Sequence, residues 1–266
     1  MTTNADPAPP PFKKQKREPK PKPPNKAGSE KTFAGNKTKE CAKFDTLLRA
    51  VYNMPYEIAA CHEIFALTEI ANYYGMLRSL SASITGPIVS NKVIGAFLEP
   101  LAEDMLPRAV KLRNKALYKE CLIYCLGPYN EPRYDSLKDH AKIYLSAEKV
   151  YQRLSVKVSQ RLQDILENVA REFSPEWEED QLKKLIKAIV KSRVIAPEDD
   201  ASIPEFFRNL EGQNDFYDCG CCHDLLDNQL VFNIDAVAGK GGFREYFLVA
   251  DLEEEDYPWD TKEMDW

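Results

Sequence analysis

Ile143, Ala147, Val150, Leu154, Val158, Leu162, Ile165 and Val169 follow one another at steps of three and four. That spacing puts all eight on one face of a helix and leaves the chain a single way to bury them, against other helices. It predicts one long helix from near Leu137 to Ala170, with Asp135 and Ser136 as candidate caps. At 1.5 Å per residue such a helix spans about 50 Å, longer than a small globule needs. The seam also suits a coiled-coil dimer, but heptads with charged flanking positions are not sustained, which favours a core helix packed along its own domain. A second stripe, Phe65, Leu67, Ile70, Ala71, Tyr74, Leu77 and Leu80, has mostly the same period.

The remaining elements are read from breakers. A first helix is predicted over Phe44–Tyr52, ended by Met54-Pro55 because the residue before proline is pushed out of the helical region. His62–Ile84 reads as one or two helices broken at Gly75, with Gly86-Pro87 closing the hairpin. Short helices are expected over 88–99 and 101–105, and Pro107 is placed in the first turn of the next, where its missing N–H costs nothing. A further helix, 116–126, is stopped by Gly127-Pro128. Ser174-Pro175 marks another start, with Trp177, Leu182, Leu185, Ile186, Ile189 and Val190 as its apolar face. Beyond it, Ile203–Leu210 is expected as a short helix and Phe243–Val249 as a strand.

These elements give a mainly α fold, a multi-helix bundle over 44–195 between disordered termini, with 196–250 poorly defined. Residues 1–43 form a basic Pro/Lys-rich segment: eleven Lys and Arg stand against Asp6, Glu18, Glu30 and Glu40, a net of +7, which leaves −13 for the rest of a chain whose net charge is −6. So acidic a body argues against nucleic-acid binding by the helices. Residues 251–266 are an acidic tail with Tyr257, Trp259 and Trp266 among the carboxylates. It is expected to stay extended as a solubilising segment, with docking on a basic partner or on the basic first forty residues as alternatives.

No apolar run approaches the roughly 18–20 residues of a membrane span, and the N-terminus lacks the apolar core of a secretory signal. Seven cysteines, an odd number, fit reduced thiols inside the cell. Lys13, Lys14, Lys16 and Arg17 form a candidate nuclear-import signal, so the nucleus is the expected location, with the cytoplasm second.

Chemistry-bearing clusters are few. Cys219-Gly220-Cys221-Cys222-His223 has zinc-type donors but only half of the usual ligand set, and Cys121 with Cys125 could complete it only if the fold brought them close. Zinc binding or thiol chemistry there is the alternative reading; no metal and no cofactor are expected. Cys61 and His62 are helix neighbours and point apart, which argues against a Cys/His nucleophile. Gly239-Lys240-Gly241-Gly242 lacks the phosphate-loop pattern and reads as a turn. The carboxylates in 176–180 suit a helix N-terminus and need no catalytic role.

Phe44-Asp45-Thr46-Leu47-Leu48-Arg49-Ala50-Val51-Tyr52-Asn53-Met54-Pro55-Tyr56, then Leu67–Tyr74, then Lys111–Ile123 together resemble fungal BTB/POZ-domain proteins. In that resemblance the first block is the end of the BTB fold, the second its closing helical hairpin and the third a BACK-like helical extension. The strand-rich half that precedes such a block in a complete BTB domain has no counterpart before Phe44, where the Pro/Lys segment lies. The resemblance implies a non-enzymatic scaffold, a transcriptional cofactor or a ubiquitin-ligase adaptor. Its partner is a protein that the residues do not identify, and the oligomeric state is open.

Overall fold

Apolar residues at helical spacing and well-placed caps set out a succession of helices, and the fold is mainly helical. The computed structural model describes residues 36–172, 183, 202–211, 223–234, 243–263 and 266, of which those from Lys37 onward belong to one compact unit. In order come α1 (Lys37–Val51), α2 (Cys61–Tyr73), α3 (Leu77–Ser90), α4 (Lys92–Phe97), α5 (Ala102–Lys111), α6 (Lys115–Cys125) and, after a 3-10 turn at Arg133–Leu137, α7 (Ala141–Glu172). Two short helices follow, α8 (Ile203–Glu211) and α9 (His223–Leu226).

Helices α1, α2 and α3 pack on one another through Leu47, Ile64, Leu67, Leu80 and Ile84, all buried. Helices α5 and α6 form a hairpin whose Leu106, Ala109, Leu117, Cys121 and Leu122 continue the same core. The first half of α7 lays Ile143, Ala147 and Val150 on it. Its next turns, through Leu154, Val158 and Ile165, join Tyr129, Phe207, Leu225, Phe247 and Val249 in a second core.

Turn chemistry fixes the joints. Gly75 ends α2 at φ +66, with the Met76 amide donating to Ala71 and the Gly75 amide to Asn72, the paired bonds of a left-handed helix stop. The same pattern closes α5, with Arg113 rather than glycine in the left-handed position at φ +48. Asn114 then caps α6 by accepting from the Leu117 amide, and its side-chain nitrogen reaches the Ser81 carbonyl and Thr85 hydroxyl on α3.

Several boundaries differ from the sequence expectation. Helix α1 begins at Lys37, so residues 37–43 belong to the bundle. Gly86-Pro87 does not close a hairpin but lies inside α3. Proline crowds the preceding Cβ, and glycine has none; buried Ile84 and Ile88 then hold the helix on its course. Pro107 lies in the middle of α5, where buried Leu106 and Ala109 outweigh one lost hydrogen bond. Helix α7 starts at Ala141, the predicted caps being taken into the 3-10 turn.

Phe243–Val249 is not a strand: among the described residues it turns at Arg244-Glu245, then continues without regular structure and buried from Tyr246, and its bonds go to isolated partners. The Tyr129 amide donates to Glu245 and the Gln229 amide to Leu248, with no ladder between them. The helix expected after Ser174 lies outside the described residues.

Candidate functional site

Lys149, Arg153 and Lys157 stand one helical turn apart on α7, beside its apolar face. The C-terminal segment runs along them in the opposite direction. Asp251 pairs with Lys157, Glu253 with Arg153 at 3.2 Å, and Glu255 with Lys149 at 2.6 Å, while Asp256 pairs with both Lys149 and Arg153. On the opposite bank Lys115 meets Glu254 at 2.6 Å and Arg113 meets Glu263 at 2.8 Å, with the Arg113 guanidinium 5.0 Å from the Trp266 ring centre.

Between the banks lies an aromatic shelf. The Tyr118 ring centre is 5.6 Å from Tyr257 and 5.2 Å from Trp259, and the last two are 4.9 Å apart. The Ser146 hydroxyl donates to the Asp256 carbonyl, which leaves Tyr118 as donor to Ser146 at 2.7 Å. Glu254–Asp256 form one 3-10 turn, closed by reciprocal bonds between Glu253 and Asp256.

The electrostatics follow from these contacts. Burial acts to raise the Asp256 carboxyl, but the Glu253 amide, Arg153 and Lys149 outweigh it and hold it below its ordinary value. Hydrogen bonds from Lys115 and Lys149 lower Glu254 and Glu255, and Glu255 raises Lys149 in return. Glu253, Glu255 and Asp256 bring carboxylate oxygens within 4.8 Å of one another, a spacing open to a metal ion. Lys149 and Arg153 stand against the same oxygens and neutralise them. The expected solubilising tail is therefore a docked one, and its partner cations come from residues 113–157.

A second clamp holds the chain on its return path. Glu120 on α6 is fully buried and accepts hydrogen bonds from the amides of Val231 and Phe232, both at 2.6 Å, and of Asn233 at 3.1 Å. The Tyr124 hydroxyl donates to it at 3.3 Å. Burial pushes the Glu120 carboxyl up, and these donors pull it the other way. Gly95 allows the close approach, since a Cβ there would run into the Phe232 carbonyl.

Sequence reasoning missed both clamps. The period-four cations of α7 are visible in the chain, but a charged stripe on a helix normally faces only water. Nothing near Glu120 marks it as buried.

Of the residues singled out from the sequence, most lie outside the described ones. Lys13, Lys14, Lys16 and Arg17, together with Cys219, Cys221, Cys222 and the 239–242 turn, lie outside the described residues. His223 opens α9. Cys121 and Cys125 are free and buried in the first core. Burial raises the Cys121 thiol well above its ordinary value and pushes Cys125 up to about 12, which opposes the thiolate form a metal requires. Cys61 is buried with its thiol turned to the Ile94 carbonyl, whereas His62 is exposed.

An open groove of about 530 Å³ is lined by Glu69, Glu103, Asp104, Arg108, Lys111 and His140, among others. Several of these charges are already paired, Lys111 with Glu69 and Glu103 with Arg133. Among the described residues no helix is long and apolar enough to cross a membrane. No family model, no curated protein and no solved structure matches the chain.

Proposed function

We propose that this chain is a non-enzymatic protein–protein interaction module that acts in the nucleus. One observation carries the reading: a helical body grips an acidic and aromatic segment between two banks of cations and an aromatic shelf. Holding a peptide segment in this way is recognition rather than chemistry, and the pairing leaves these charges engaged with one another. The resemblance to fungal BTB/POZ and BACK-like helices points the same way, toward a scaffold, a transcriptional cofactor or a ubiquitin-ligase adaptor. The basic run at Lys13, Lys14, Lys16 and Arg17 supplies the import signal in this reading.

The test is the size of the native assembly. Extracts of the source cells, sedimented beside the purified 30.4 kDa chain, should place it in a faster complex than the pure protein forms alone. Sedimentation identical to the pure chain refutes the interaction reading. Replacing Lys13, Lys14, Lys16 and Arg17 by Ala should shift a fluorescent fusion toward the cytoplasm, and unchanged nuclear enrichment refutes the import signal.

A further inference from the structure

We propose that the basic face of α7 is a recognition surface for a partner protein's segment bearing a run of carboxylates followed by aromatic residues, and that residues 251–263 of this chain are its built-in competitor. This rests on the interaction-module reading and names the surface and the chemistry of what it takes.

The resident segment shows what this surface accepts. Two residues of extended chain advance about 6.6 Å, and four residues of α-helix about 6 Å. Asp251 and Glu253, on extended chain, meet Lys157 and Arg153 one helical turn apart; the 3-10 turn Glu254–Asp256 then brings Glu255 to Lys149, sets Asp256 between Lys149 and Arg153, and aims Glu254 at Lys115. A diffuse attraction between an acidic tail and a basic helix would not require a turn that aims four adjacent carboxylates at cations on two helices. Beyond that turn Tyr257 and Trp259 settle on Tyr118, so the surface reads charge first and aromatic rings second. An open recess of about 450 Å³ adjoins the shelf, lined in part by Lys142, Leu145 and Trp259, and leaves room for a side chain larger than those now present.

The outer carboxylates are the exchangeable part of the resident segment's hold, Asp256 being buried between Lys149 and Arg153. Asp251, Glu253 and Glu255 keep 44%, 63% and 70% of their side chains exposed, so their ion pairs are of the weak, salt-screened kind. Its advantage is the tether, which gives it an effective concentration of about millimolar. A protein ligand is favoured over nucleic acid because the body around the stripe is net acidic, which repels a polyphosphate, and because the cations already meet carboxylates and the shelf aromatic side chains.

The test uses the full chain and a fluorescein-labelled synthetic peptide with the sequence of residues 250–263, read by anisotropy at low salt. The wild-type chain, with its competitor in place, should bind weakly. The variant Asp251→Asn/Glu253→Gln/Glu255→Gln, which softens the resident segment at exposed positions, should bind at least about tenfold tighter. A peptide of identical composition with its carboxylates dispersed and its aromatics first should bind much more weakly, a control that requires no change to the protein.

Equal affinity for the two chains, or for the two peptides, overturns the proposal. So does tighter binding of a single-stranded oligonucleotide than of the peptide, or a concentration-dependent dimer of the softened variant that accounts for the gain. If the peptide fails while the native assembly in extracts persists, this surface is the wrong one and the interaction reading stands.

Discussion

Replacing Glu120 by Gln tests whether one buried carboxylate holds the return of the chain against α6. Four donors surround its two oxygens: the amides of Val231, Phe232 and Asn233, and the Tyr124 hydroxyl. Gln keeps the shape but offers one oxygen and one NH2. If the oxygen serves Val231 and Phe232, the NH2 faces the Asn233 amide, and a buried donor loses its acceptor at roughly 1–3 kcal/mol. The two amides that keep an acceptor lose the charge that made their bonds about twice as strong as neutral ones, adding about 1 kcal/mol. The expected loss is therefore about 2–4 kcal/mol. With a urea slope of about 2–3 kcal/mol/M, the unfolding midpoint should fall by about 1 M at unchanged slope. Amide exchange at 231–233 should quicken in step, since those are the donors released. A midpoint shift below about 0.2 M, with exchange unaltered, would show that this carboxylate does not hold the loop.

Gly95→Ala brings a methyl group against the Phe232 carbonyl beside the same clamp, and backbone has to move; a stability loss of about 1–3 kcal/mol is expected in thermal or urea unfolding, and a neutral result would contradict the close approach. Acid should release the C-terminal segment. Asp256, Glu254 and Glu255 are held below their ordinary values when docked, so their contribution is fully present above about pH 4–5 and is lost as pH falls below about 4. Fluorescence of a chain in which Trp177 is replaced by Phe should report this through Trp259 and Trp266, before the far-UV helical signal falls. Simultaneous loss of both signals would mean that segment and bundle are one cooperative unit.

The helical class, the long α7 and the stop at Gly75 were legible in the sequence because each depends on residues within a few turns of one another. Apolar periodicity states which face is buried, and a glycine at the end of a periodic run states where the left-handed turn falls. The prolines misled for the same reason: locally, Pro87 and Pro107 are breakers. Only the burial of Ile84, Ile88, Leu106 and Ala109 against distant helices shows why the helices run through them. The cations of α7 and the acidic tail were each visible, but the pairing of Lys157 with Asp251 or Lys149 with Glu255 joins residues about a hundred positions apart. No periodicity encodes that separation. Glu120 is the sharper case, since its sequence neighbours mark an ordinary helix. Its role arises only when the backbone of 231–233, far along the chain, turns three amides toward it. Local propensity thus set which segments are helices and which side chains they bury, whereas desolvation, acting on groups that only the fold brings together, selected the charges that hold the C-terminal segment in place.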